Sequence, residues 1–372
     1  MRMGSRVFTR LAAAIVLFWG SVAAGNAQVR DIFSVSGVAV DARADNEFAA
    51  KSAGIARAER DAFRILLERL TLQRDYDRLP DPDRKAVTAL LRDFSVDREK
   101  FGGGRYIASL TIRFKAEAVR RVLRDADIPF AETASRPVLV LPVFQTAGST
   151  VIWEDTNPWF AAWSRLARRD GLQPLLLPVG DLTDVAVISA EEAVLGETKS
   201  LSEVAVRYGA SETMVVVASL VVDQAFGLLR VEVATSRFGA DSSDQTEFRR
   251  FEAKANSARD VLLDMAAISI AREVEDSWKQ KNILEGSVEQ RIFVRVPFGN
   301  LGDWLSIRKR LAGIAAVKEL AVRRLSVDRA EVELAYLGSA DQLRLAMTQS
   351  NLDLKYAADK AVWTLLSVSN RQ

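Results

Sequence analysis

Arg136-Pro137-Val138-Leu139-Val140-Leu141-Pro142-Val143-Phe144 is the stretch on which the reading of the fold turns. Val138 to Leu141 is an unbroken aliphatic run, short and flanked by prolines. That pattern predicts a strand buried on both faces, and hence a parallel sheet covered by helices. The residues that follow supply the layers. Helices are predicted over Pro158 to Arg169, near Ala190 to Val194 and over Leu201 to Tyr208, with a strand at Leu175 to Leu177. Met214 to Val222 is a second apolar, β-branched strand, followed by strands at Leu228 to Ser236 and Thr246 to Ala253. A long helix from Ala258 to Lys279 closes this central block, with a predicted buried stripe of Val261, Leu262, Met265, Ile268, Ala271 and Val274.

Working outward, the residues before Arg136 predict a β-α-β-β-α unit. Ile32 to Asp41 is the first strand, and Asp45 or Asn46 caps a helix whose apolar stripe is Ile55, Ala62, Phe63, Leu66, Leu67 and Leu70. A short helix at Ala86 to Leu91 leads into a hairpin turned at Gly102-Gly103-Gly104. Its second strand alternates, with Tyr106, Ala108, Leu110, Ile112 and Phe114 on one face. The three glycines precede a strand and carry no Gly-Lys-Ser/Thr, so they predict a turn and not a phosphate loop. After the central block the rhythm is βαββαβ: strand Ile292 to Pro297, helix Asp303 to Ala312 with Trp304, Leu305, Arg308 and Leu311 along one side, strands Val317 to Leu325 and Ala330 to Leu337, helix Ala340 to Gln349, and strand Asn351 to Tyr356. This predicts ferredoxin-like topology with Val362 to Val368 as an added strand. The expected fold is therefore α+β in three domains, 28–134, 136–284 and 288–372, with exposed linkers at Ile128 to Pro137 and Lys279 to Ser287.

The chain has no histidine and no cysteine among 372 residues. A Ser/His/Asp triad, thiol catalysis, disulfides and nearly all zinc sites are thereby excluded. Carboxylate, Lys or Tyr chemistry remains open, as does none. At the N-terminus, Arg2, Arg6 and Arg10 precede an apolar run from Leu11 to Ala24, and Gly25-Asn26-Ala27 supplies small residues. These three features predict a secretory signal peptide, 1–27, cleaved after Ala27 and leaving a periplasmic protein with no transmembrane segment. Loss of the three arginines would turn 51 basic and 49 acidic residues into 48 and 49, which gives no footing for a nucleic-acid partner.

One segment stands out as a candidate site. Trp153-Glu154-Asp155-Thr156-Asn157-Pro158-Trp159-Phe160-Ala161-Ala162-Trp163 holds three of the chain's seven tryptophans and follows the first strand of the central sheet, near the edge where open sheets bind ligands. One reading makes Trp159, Phe160 and Trp163 the buried stripe of a helix entered through Asn157 and Pro158. The other exposes Trp153 and Trp159 as an aromatic platform, with Glu154, Asp155 and Asn157 completing a ligand or partner site. No catalytic residues, metal ligands or cofactors are expected. The adjacent carboxylates Glu191-Glu192 and Glu154-Asp155 diverge on a helix or strand, the arginine pairs have acidic neighbours, and Ser339 is expected as a helix cap.

Two resemblances accompany these residues. Leu141-Pro142-Val143-Phe144, followed by helices and by Tyr208-Gly209-Ala210-Ser211 running into Met214-Val215-Val216-Val217, resembles the amino-terminal domain of the TolB-type periplasmic proteins. No propeller repeat follows, so TolB function does not carry over. The three-block layout resembles the exported bacterial family called domain of unknown function 2066, through the Asp45 to Leu70 helix, the strand through Phe114, the Arg136-Pro137 opening and Gly338-Ser339-Ala340-Asp341-Gln342-Leu343. That resemblance implies an envelope location and no known activity. The expected function is a non-enzymatic envelope interaction or assembly factor with a protein partner. A periplasmic binding protein for a small glycan or peptide is the alternative, and a carboxylate-dependent hydrolase the second.

Overall fold

The computed structural model describes residues 31–146, 148–166, 171–223, 226–239, 246–254, 258–283, 289–357 and 362–367. The expected leader, 1–27, lies outside them. The architecture is mixed α/β, built on three sheets.

The first sheet collects β1 (Ser34–Arg43), β2 (Leu91–Gly102) and β3 (Arg105–Phe114) in the antiparallel order β1-β3-β2. Helix α1 (Glu47–Leu70) lies across it, while α2 (Arg84–Leu90) and α3 (Ala116–Asp125) complete the unit. Asn46 caps α1 by accepting from Ala49 N at 2.9 Å. Midway along, α1 comes so close to the sheet that a β-carbon on Gly54 would lie 2.6 Å from Val40 Cγ1, so only glycine fits. The β2–β3 turn is narrower than expected: Gly102 belongs to the strand, and Gly103 and Gly104, both at positive φ, make the two-residue turn a right-twisted hairpin favours.

The second sheet runs β5-β4-β7-β8-β9, comprising β4 (Val138–Thr146), β5 (Ser149–Val151), β7 (Glu212–Asp223), β8 (Leu228–Gly239) and β9 (Glu247–Lys254), with β6 (Leu175–Leu176) also beside β4. Only β4, β6 and β7 are parallel. The expectation of a parallel sheet is corrected to a mixed one, because β7 turns directly into β8 and β8 into β9, and hairpins impose antiparallel pairing. Helix α4 (Pro158–Arg165) and helix α8 (Arg259–Asn282) cover one face. On the other, α6 (Ala190–Leu195) and α7 (Thr198–Arg207) pack over β4 and β7, preceded by a helix that had not been expected, α5 (Leu182–Val187). The β8–β9 half of that face stays open and carries the cross-strand ion pairs Arg230–Glu252 and Arg250–Glu232. The stripe of α8 is also corrected. Val261 and Met265 face solvent, and the buried residues are Leu262, Leu263, Ala266, Ala267, Ile270, Ala271 and Val274, a face wide in alanine that lets the helix approach closely.

The third sheet has the order β11-β12-β10-β14-β13, from β10 (Glu289–Pro297), β11 (Val317–Leu325), β12 (Arg329–Leu337), β13 (Leu352–Ala357) and β14 (Val362–Ser367). Helix α9 (Leu301–Ala312) and helix α10 (Ala340–Gln349) cover one face. Ferredoxin-like topology would place β13 next to β10. Instead β14 inserts between them, parallel to β10 and antiparallel to β13, with Leu365 fully buried. The strand predicted as an addition is interior because the β13–β14 hairpin folds inward, under the helices. On α9 the buried side is Trp304, Ile307 and Leu311, while Leu305 and Arg308 point outward.

The blocks are joined by hydrogen bonds from side chains, several of them to carbonyls left over at helix C-termini. Lys279, fully buried near the end of α8, donates to Glu68 O at 2.7 Å and Thr71 O at 2.8 Å, at the end of α1. Asp276 accepts from Gln73 N at 3.1 Å and Trp278 donates to Thr133 O at 2.7 Å. Arg120 of α3, held by Glu132 at 2.7 and 2.6 Å, reaches Gly313 O at the end of α9 at 3.3 Å. Gln342 donates to Lys281 O at 2.5 Å, and Gln349 exchanges two bonds with Ala134. The expected exposed linker at Ile128 to Pro137 is therefore corrected: Ile128, Ala131 and Thr133 are buried, and Ser135 N donates to Leu172 O at 2.7 Å. Helix α8 continues through Asn282, into the window expected as the second linker, whose residues 284–287 lie outside the described ones.

Burial lowers the Lys279 ammonium below its ordinary pKa of 10.5, opposed by Glu275 and Asp276. Between that lowered value and 10.5 the unfolded chain holds more protons than the folded one, so Lys279 makes stability rise with pH across this window. Lys279→Met should cost about 3 kcal/mol at neutral pH by stranding two buried carbonyls, and should remove that rise. Urea unfolding of both proteins at a series of pH values from neutral to alkaline checks it.

Candidate functional site

The Trp153 segment divides between surface and core. Asn157 is buried and caps α4 by accepting from Trp159 N at 2.9 Å and Phe160 N at 3.0 Å. Its amide nitrogen donates to Pro142 O at 3.0 Å and Ile152 O at 3.1 Å, pinning the loop to β4. Trp159 has no exposed surface, donates to Val216 O at 3.0 Å and meets Trp163 edge to face at 5.8 Å. The platform reading is corrected for Trp159: an N-cap and a Pro at the first helical position fix the phase of α4, which turns Trp159 and Trp163 onto the sheet. Trp153 is half-buried, packs against the α6–α7 side and donates to Ile188 O at 2.9 Å. Glu154 and Asp155 remain exposed, with Glu154 accepting from Ile152 N at 3.0 Å.

What Trp153 supports is the segment from Val179 to Ile188, for which the sequence predicts no element. A methyl group on Gly180 would lie 3.4 Å from the Trp153 ring, so the backbone runs directly over the indole. Asp181 then caps α5 by accepting from Thr183 N and Asp184 N, both at 3.0 Å. The helix that follows is inside out. Its buried residue is Asp184, which accepts from Gly180 N at 2.9 Å, from Tyr208 Oη at 2.6 Å and from Arg207. Arg207 also grips Asp181 at 2.8 and 2.6 Å, and Val179 N donates to Tyr208 Oη at 2.8 Å. The Arg207 guanidinium holds the Asp181 carboxyl well below the usual carboxylate range, and Asp181 in turn raises Arg207. Burial, aided by the bond to Asp184, pushes the Tyr208 phenol up.

With the carboxylate turned inward, Val179, Leu182 and Val185 of the same segment face solvent, while Val187 and Ile188 pack toward the core. Leu182 is 89% exposed, Val179 78% and Val206, beside Arg207 on α7, 74%, with Val185 one turn along α5 also exposed. The clue in the sequence was Asp184 between Leu182 and Val185, since a six-residue helix can bury either its carboxylate or its aliphatic residues, not both. Among the described residues no group of three or more Asp or Glu side chains is arranged to hold a metal ion. The expected serine is a cap: Ser339 and Gln342 form a capping box on α10. Glu192 is held likewise by Ser189.

No protein-family model and no curated protein matches this chain. Among solved structures it is similar to a PelC dodecamer from Paraburkholderia phytofirmans, at 11% identity over 40% of this chain and 94% of that one, with a TM-score of 0.24. It is also similar to lipoprotein GNA1162 from Neisseria meningitidis, at 13% identity over 38% of this chain and 98% of that one, with a TM-score of 0.23. No helix among the described residues is long and apolar enough to cross a membrane.

Burial separates the tryptophans energetically. Trp159→Ala should cost about 4 kcal/mol and the half-buried Trp153→Ala about 2 kcal/mol. Asp184→Ala should cost at least about 3 kcal/mol, because Arg207, Tyr208 and Gly180 N lose one shared acceptor. Denaturant midpoints with unchanged slopes provide the check.

Proposed function

We propose that this protein is a non-enzymatic interaction or assembly factor of the bacterial envelope, and that α5 with the last turn of α7 is the surface it offers to a protein partner. The observation that carries this reading is the inversion of α5, which buries Asp184 and leaves Val179, Leu182, Val185 and Val206 outward. Exposing aliphatic side chains is unfavourable in a free monomer, and covering them on binding recovers about 25 cal/mol for each Å² removed from water. The ionic frame beneath makes the surface rigid, so little conformational freedom is lost on docking. A partner with an apolar groove and a polar rim fits, since the Arg207–Asp181 pair lies beside the aliphatics and remains partly solvated. Trp153 acts from below as a support, and Glu154 and Asp155 lie next to it in the chain. The periplasmic setting rests on the basic, apolar and small-residue order of the first 27 residues.

A photo-crosslinking residue placed at Leu182 should give discrete adducts in the envelope of the native host, and one at the exposed Lys100 of β2 should not. Leu182→Asp with Val206→Asp should change stability by no more than about 0.5 kcal/mol per site, while adducts from a probe at Val179 fall about tenfold. Equal labelling from Leu182 and Lys100 would refute the assignment.

A further inference from the structure

Insertion of β14 into the third sheet has a consequence at its helix-covered face. The sheet is five strands wide but has two helices, with α9 packed toward β11 and α10 toward β13. Where the parallel ends of β10 and β14 meet α9, a cleft of about 480 Å³ remains, walled by Phe298, Ile307 and Leu366. The polar lining comes from one side of α9, Asp303 and Arg310, joined by Ser367 at the end of β14. The crevice beyond the carboxyl ends of parallel strands is where such sheets receive ligands.

Arg310 is only partly used by the protein. Nη1 donates to Asn351 O at 3.1 Å and Nη2 to Ser367 Oγ at 2.7 Å, while Nε is buried with no acceptor among the described residues. A buried N–H without an acceptor is unfavourable by about 1 to 3 kcal/mol, and a guanidinium presents its free donors in the fork that suits a carboxylate. At the other end, Asp303 Oδ2 accepts from Gly299 N at 3.2 Å and Asn300 Nδ2 at 3.0 Å, which leaves Oδ1 without a bond among the described residues. A second negative charge in the ligand would meet this carboxylate, so phosphates and dicarboxylates are disfavoured. Seven residues of helix set the Cα atoms of Asp303 and Arg310 about 10 Å apart along the α9 axis. Both side chains line the same cleft of about 480 Å³, a volume suited to a ligand the size of a short peptide.

We propose that this cleft binds a short zwitterionic peptide of dipeptide size, with its carboxylate at Arg310, its ammonium at Asp303 and an apolar side chain against Phe298, Ile307 and Leu366. The cleft shares no residue with the α5–α7 surface, so the two assignments stand or fall separately.

Calorimetric titration of the whole protein with L-alanyl-L-leucine should show one saturable site. N-acetyl-L-alanyl-L-leucine, which lacks the ammonium, and L-alanyl-L-leucinamide, which lacks the carboxylate, should each bind at least about tenfold more weakly. Asp303→Asn, whose amide oxygen can keep the bond from Gly299 N, should weaken the free dipeptide by a similar factor but leave the acetylated one unchanged. Leu366→Trp should abolish binding by filling the cleft. Absence of binding by the wild type at millimolar dipeptide, equal affinity for the blocked forms, or full affinity in Leu366→Trp would each overturn the proposal.

Discussion

One buried ammonium group, Lys279 Nζ, ties α8, which covers the second sheet, to the end of α1, which covers the first. It sits at the end of α1, where carbonyls have run out of intrahelical partners and the helix dipole favours a cation, and it arrives there on the last turns of α8. Burying a charge is costly unless hydrogen bonds and counter-charges surround it. Two carbonyls, Glu275 and Asp276 do so here. The same device recurs at lower charge density where Arg120 meets the end of α9 and Gln342 the end of α8. Helix ends left incomplete within one block are completed from the next.

This arrangement explains why the molecule can expose an inverted helix without losing its fold. The central core is closed by α4 and α8 on one face and by α6 and α7 on the other, and Trp159 and Trp163 lie within it. The segment from Val179 to Ile188 is held by polar bonds to Asp184, Tyr208 and Arg207, by contact with Trp153 and by Ile188 in the core, so Val179, Leu182 and Val185 are not needed for packing. A hydrogen-bonded carboxylate does inward what a leucine does in an ordinary amphipathic helix.

In the third sheet the inserted β14 has an analogous effect. Widening the sheet by one strand without adding a helix opens a crevice, and Arg310 spans it by bonding to Asn351 O and Ser367 Oγ. The residue that closes the gap structurally also lines the crevice and keeps one buried donor without an acceptor among the described residues.

The sequence alone determined most of the strands and helices, α5 and β5 excepted, because the apolar run at Val138 to Leu141, the alternation through Phe114 and the caps at Asn46, Asn157 and Ser339 are local signals whose cause lies within a few residues. It also determined which chemistries are closed to a chain without His or Cys. Tertiary structure decided what depends on pairing between distant segments. The place of β14 between β10 and β13 is set by hairpin folding across the sheet, which no periodicity encodes. The phase of α8 is set by how closely its alanines let it approach β8 and β9. Asp184 reads as an ordinary polar residue until Tyr208 and Arg207, more than 20 positions away, arrive to receive it. Trp153 and Trp159 look alike in the chain, and only the turn of α4 from its cap sends one to the boundary and the other into the core.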